Sequence, residues 1–117
     1  MDKHMADEKV MAYRIGVGHM KDQLPDLVEA YHHFTGRCFQ EGELSLKDKH
    51  LIALGISLTS NNEVCTFNHV REALSSGATP KQVLETVAVA AALGGGHAMS
   101  QGVTRVQQAL DQSGSIH

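Results

Sequence analysis

The sequence predicts an all-α fold, and three features carry that prediction. Apolar residues recur at helical spacing, as in Leu24, Leu27, Val28, Tyr31 and Phe34. Helix start signals punctuate the chain at Pro25, Ser45, Asn62 and the Thr79-Pro80 pair. No segment alternates in the manner of a strand. Val87-Ala88-Val89 is β-like only in isolation, because a strong helix start precedes it and alanine and leucine surround it.

Each element follows in order. Weak periodicity through Val10, Met11 and Ile15 predicts a first helix over residues 6 to about 20, eroded by Gly16 and Gly18. Pro25, whose fixed φ suits a first helical position, opens a second helix that runs to about Gln40 and stops near Gly42. Ser45 caps a third, with Asp48 in the first turn where the helix dipole favours an anion. Leu51, Ile52, Leu54, Ile56 and Leu58 make this helix apolar on most sides, and Thr59-Ser60-Asn61-Asn62 breaks it. A fourth helix spans Glu63 to Ser76 and ends at Gly77. Thr79, Pro80 and Gln82 form a capping box for a fifth, which reaches Leu93 before three glycines stop it. A last helix covers Ala98 to Leu110, and residues 113–117 are expected to fray.

A length of 117 residues fits one domain. Residues 1–24 read as a helical extension, 25–112 as the main domain and 113–117 as a tail. A net charge of -3, with the 10 basic residues scattered, argues against a nucleic-acid footprint, which needs clustered Lys and Arg. The longest apolar run, Val87 to Leu93, is far short of the roughly 20 residues of a membrane span. The polar N-terminal residues carry no signal-peptide pattern, and Cys38 and Cys65 are too few for a disulfide framework. The expectation is a cytoplasmic protein with reduced thiols.

The third and fifth helices are apolar nearly all round and need covering on every side. One small domain has few helices with which to do so. A homo-oligomer is therefore expected, with the helix carrying Val83, Val87 and Leu93 and parts of the last helix at the interface. The alternative is a compact monomer with one central helix.

The segment Asn61 to Arg71 holds the chemistry. With Asn62 as cap, Cys65 is the third residue of its helix, where free N–H groups and the helix dipole favour a thiolate and a lowered thiol pKa. His69 lies one turn on, on the same face, placed to accept or donate a proton. The plain alternative is a packed thiol and a surface histidine. Cys38, near the end of the second helix, reads as a small buried hydrophobe.

Leu46-Lys-Asp-Lys-His-Leu-Ile-Ala-Leu, Cys65-Thr-Phe-Asn-His69-Val-Arg-Glu-Ala-Leu, Gly77-Ala-Thr-Pro-Lys-Gln-Val-Leu-Glu and the Ala-Ala-Leu-Gly-Gly-Gly run ending at Gly96 occur in that order. Together they resemble the carboxymuconolactone decarboxylase / alkylhydroperoxidase D (AhpD)-like family over about 85 residues, from Pro25 to Leu110. The resemblance implies an all-α fold of about six helices, assembled as a dimer, trimer or hexamer, and no cofactor. Its peroxidase branch carries Cys-x-x-Cys-x-x-x-His at a helix start, with an acidic residue on the preceding helix. Cys65 and His69 match the second cysteine and the histidine. Asn62 stands at the first cysteine and His50 at the acidic position. The implied activity is a thiol-dependent antioxidant one of peroxiredoxin type. Cys65 would be the nucleophile, His69 and His50 its proton-transfer partners, and an external thiol the reductant. The decarboxylase branch, which lacks the cysteine pair and acts on a small cyclic carboxylate, is matched by His69-Val70-Arg71. His50, His69, His97 and Arg71 could serve it, although Arg71 and His97 also read as solvated or core-satisfied side chains. An oligomer that keeps only the fold is the third possibility.

His50, Cys65, His69 and His97 are a plausible metal-ligand set by type, but no spacing matches a structural zinc pattern, and no metal is expected. His32 and His33 are adjacent and point about 100° apart on a helix. The Gly94-Gly95-Gly96 run follows a helix rather than a strand and lacks a phosphate-loop lysine, so it reads as a tight interhelical turn.

Overall fold

A computed structural model describes the backbone of residues 3–114 and the side chains of residues 8–112. Every element among them is helical: α1 (Lys3–Gln23), α2 (Pro25–Cys38), α3 (Leu46–Thr59), α4 (Glu63–Ser75), α5 (Pro80–Gly94), and a last rod of α6 (Gly96–Gln101), a π-helical segment (Gly102–Val106) and α7 (Gln107–Gly114). The last rod reaches Gly114, so the fraying expected from residue 113 does not begin there, and residues 115–117 lie outside the described backbone. The first helix runs longer than its weak pattern indicates, at 21 residues.

The caps do what their residue types predict. Ser45 Oγ accepts from the Asp48 N–H (3.0 Å) and Asn62 Oδ1 from the Cys65 N–H (2.9 Å). Thr79 and Gln82 close a reciprocal capping box around Pro80. After α4, Gly77 takes φ +103° while its own N–H and that of Ala78 return to the carbonyls of Leu74 and Ala73. This is a Schellman ending, which needs a residue without Cβ strain. Such local agreement is why the boundaries of α3, α4 and α5 fall within a residue or so of their expected places.

The core is a bundle of α3, α4, α5 and the last rod. Leu54, Leu58, Phe67, Val70, Val83 and Val106 are fully buried. The last rod comes very close to α5 at Gly102, where a Cβ would overlap the Val87 side chain. The Gln101 amide, buried beside it, donates to the Leu58 carbonyl (2.8 Å), tying the rod to α3. Val83 and Val87 belong to the chain's own core. Leu93, on the same helix, is 89% exposed.

α1 and α2 stand apart from this core. They pack mainly on each other, α1 also reaches α4, and Val28 is the one buried residue of α2. Lys9 binds the Glu63 carboxylate through both oxygens (2.8 and 2.7 Å), linking α1 to the first turn of α4.

Candidate active site

α3 and α4 form an antiparallel pair joined by a three-residue turn, in which Asn61 takes φ +59°, a left-handed conformation that asparagine tolerates. This pairing brings His50, in the first turn and a half of α3, against His69, in the middle of α4. Their Nδ1 atoms are 3.1 Å apart. Two imidazole nitrogens at that distance must share a proton. One ring carries its hydrogen on Nδ1, and the other accepts there and carries its own on Nε2.

Phe39, the residue that ends α2, lies over both rings. Its centroid is 4.8 Å from that of His50 at 19° and 5.4 Å from that of His69 at 20°. Lys49 holds this lid in place: its Nζ donates to the carbonyls of Cys38 (3.0 Å) and Gln40 (2.6 Å) on either side of Phe39. Burial sets the titration of both imidazoles. His69 falls to about 4, first because burial disfavours its charged form and second because His50 lies beside it. His50 is lowered by burial, partly offset by the nearby Glu72 carboxylate. At neutral pH the pair is uncharged, holding one shared proton and able to take up another.

Cys65 occupies the first turn of α4, as the sequence indicates, and is half-buried. Among the described residues its thiol makes no hydrogen bond. Burial pushes the Cys65 thiol up from the ordinary range, which reverses the lowered pKa expected from its position at a helix start. The resting group is therefore a thiol and not a thiolate.

The other residues sort as follows. Cys38 is exposed at the end of α2, not the buried hydrophobe expected; the helix carrying it buries only Val28. Arg71 does not simply face water: it is half-buried and donates to Gln112 Oε1 (3.1 Å). His97 is exposed, on the last rod, where its Nε2 is 3.0 Å from the Gln101 amide nitrogen. Among the described residues no group of three or more His, Cys, Asp or Glu side chains is gathered closely enough to hold a metal. Sequence reasoning missed Phe39 and Lys49. The signal for Phe39 was faint: an aromatic just past a helix end in a chain with only 3 phenylalanines.

An all-helical domain in which a histidine of α4 and a histidine from the preceding helix meet under an aromatic ring, with a cysteine one turn before the first of them on α4, defines a class of small helical proteins with a buried histidine pair. The profile of the Carboxymuconolactone decarboxylase family matches residues 25–108, and the chain belongs to that family. Three solved structures share the fold. A carboxymuconolactone decarboxylase family protein from Legionella pneumophila is 19% identical, with 92% of this chain and 96% of that chain covered at a TM-score of 0.84. A protein described as a candidate carboxymuconolactone decarboxylase from Burkholderia xenovorans is 20% identical, with coverages of 86% and 80% and a TM-score of 0.78. A family member from Thermotoga maritima, suggested to be involved in antioxidative response, is 18% identical, with coverages of 74% and 90% and a TM-score of 0.68. A sequence search of curated proteins found no match. Among the described residues no helix is long and apolar enough to cross a membrane.

Proposed function

We propose that the chain is a thiol-dependent antioxidant protein of alkylhydroperoxidase D type, with Cys65 as nucleophile and the His69–His50 pair as its proton-transfer partner. What supports this reading is the 3.1 Å contact between the imidazoles of His50 and His69, together with the spacing of four that sets Cys65 one turn before His69 on α4. The antioxidative role suggested for the Thermotoga relative points the same way.

In the step envisaged, the Cys65 sulfur attacks the outer oxygen of a hydroperoxide. An S–O bond forms and the O–O bond breaks. The thiol proton passes through the histidine pair to the departing oxygen, leaving an alcohol or water and a Cys65 sulfenic acid. A protonated resting thiol makes that proton acceptor essential. Asn62 cannot close a disulfide with Cys65, so the sulfenic acid persists, over-oxidises or is returned to the thiol by an external thiol reductant. The reading includes self-association of the chain and a cytoplasmic setting.

The test is a stoichiometric hydroperoxide pulse with a sulfenic-acid trap, read by mass spectrometry. Cys65 is expected to take the trap ahead of Cys38. His69→Ala is expected to slow its oxidation by about 100-fold or more, as is typical of losing a general acid–base group. Oxidation of Cys65 no faster than that of Cys38, and unaffected by His69→Ala, sinks the proposal. A decarboxylase-like reading is favoured by one observation: the polar contact inside the site joins the two imidazoles and leaves the thiol out. Carbon dioxide release from a lactone carboxylate, retained in Cys65→Ser and lost in His69→Ala, would establish it instead.

A further inference from the structure

A second polar cluster, sharing no residue with the histidine pair, surrounds the turn between α3 and α4, and Arg105 is at its centre. Its Nη1 donates to Asn61 Oδ1 (2.8 Å) and to Gln101 Oε1 (3.0 Å), and its Nη2 lies 3.6 Å from a Glu63 oxygen. Gln101 is buried and donates in turn to the Leu58 carbonyl (2.8 Å), so the guanidinium is tied to the chain on both sides of the turn. The Arg105 side chain is 23% exposed and that of Glu63 16%, which leaves these contacts little weakened by water. Arg105 projects from the π-helical segment Gly102–Val106. A π turn takes more residues than an α turn and so re-aims the side chains it carries, and such turns are frequent at functional sites.

The turn needs holding. Asn61, at φ +59°, is in the left-handed region, which costs free energy in any residue with a Cβ and persists where the surroundings fix it. The next residue is Asn62, whose Oδ1 accepts from the Cys65 N–H (2.9 Å) and whose carbonyl accepts from the Thr66 N–H (3.0 Å). The hold on the first turn of α4 thus runs through two adjacent asparagines. Helix ends fray, and Cys65 shares a face with His69 while the turn that carries it stays wound. Lys9 already holds both oxygens of Glu63 at 2.8 and 2.7 Å, so the contact distinctive of Arg105 is the one to Asn61.

We propose that Arg105 is a positioning residue for Cys65: by clamping Asn61 it keeps the Asn62 cap seated and the first turn of α4 wound, so that the thiol stays one turn from His69. The proposal deepens the proposed function and rests on it for the chemistry of Cys65. Arg105 acts through the backbone and not on the reacting atoms. A guanidinium suits the task, because its planar fork bonds Asn61 and Gln101 while facing Glu63, whereas a lysine ammonium is a point charge.

The experiment compares the full-length parent, Arg105→Met, Asn61→Ala and the double variant. Three quantities are read: amide hydrogen exchange, alkylation by a small neutral thiol reagent, and oxidation by a stoichiometric hydroperoxide pulse with a sulfenic-acid trap. Asn61 is exposed, so its truncation carries the test even where Arg105→Met fails to fold. In Arg105→Met the Cys65 and Thr66 amides are expected to exchange about 10-fold faster, the effect of losing one hydrogen bond, while those around Val70 are unchanged. Cys65 should be alkylated faster and oxidised by peroxide more slowly, because unwinding uncovers the thiol and takes it from its proton acceptor. General destabilisation would raise both rates. Asn61→Ala is expected to reproduce this pattern and Arg105→Met to add nothing to it, since both remove one bond. Unchanged exchange at Cys65 and Thr66, alkylation and oxidation that rise together, or a full effect of Arg105→Met in the Asn61→Ala background each overturns the positioning role. A parent chain whose Cys65 is oxidised no faster than Cys38 sinks the proposed function instead, and exchange at Cys65 and Thr66 still reads the clamp.

Discussion

At the scale of single residues, the site is governed by burial. His69 titrates near 4 in the folded chain, whereas an unfolded histidine titrates near 6.5. Between those values the unfolded chain binds the proton and the folded chain does not. Stability is therefore complete above about pH 6.5 and declines as the pH falls toward 4. Urea midpoints measured at pH 7 and pH 5 should show that decline, and His69→Gln should reduce it. Cys65 follows the same logic with the opposite charge. Its thiol is raised by burial, so its alkylation by a small neutral reagent should accelerate with pH beyond the range of an ordinary thiol. At pH 7 exposed Cys38 should react faster than Cys65 with that reagent, while peroxide should select Cys65. That divergence would separate assisted deprotonation from simple thiol acidity.

Helix ends and one close crossing decide the geometry at the scale of elements. The Thr79–Gln82 box and the Asn62 cap satisfy N–H groups that would otherwise lie unpaired. Thr79→Ala should cost about 1 kcal/mol of stability, read as a shift in the urea midpoint. Gly102 is a stricter constraint. A methyl group there collides with the buried Val87 side chain, so Gly102→Ala should destabilise by about 1–3 kcal/mol although alanine is the better helix former. The sign of that result separates a packing constraint from a propensity effect. Gly95, at φ +77° and ψ -162°, occupies a region that only glycine enters freely. This is the physical content of the glycine run between the fifth helix and the last rod.

At the scale of the whole molecule, the chain has a well-packed centre and an apolar periphery. The α3–α4–α5 bundle and the last rod account for nearly all of the buried side chains, while α2 contributes Val28. Amides of residues 25–38 should therefore exchange faster than those around Phe67 and Val70, which lie in the core. Equal protection of the two groups would mean that the packing of α2 on α1 suffices to hold it.

By itself the sequence determined that the elements are helices and where α3, α4 and α5 begin and end. Caps, prolines and glycines act through neighbours a few residues away, so Ser45, Asn62, Thr79 and Gly77 could be read without any knowledge of packing. It also placed Cys65 and His69 on one helical face, because a spacing of four is a local fact. The family resemblance marked His50, which local spacing could not tie to the site. Only the tertiary structure decided what those groups experience. The contact of His50 with His69 depends on how α3 and α4 pair. The Phe39 lid depends on where α2 ends relative to both, and the raised Cys65 thiol on how deeply the first turn of α4 is set. Burial is the sum of contributions from distant parts of the chain, which is why the helix-start argument gives the wrong direction for the acidity of Cys65. The same reason put Cys38 at the surface: apolar character shows that a side chain needs covering, and only the packed chain shows by what.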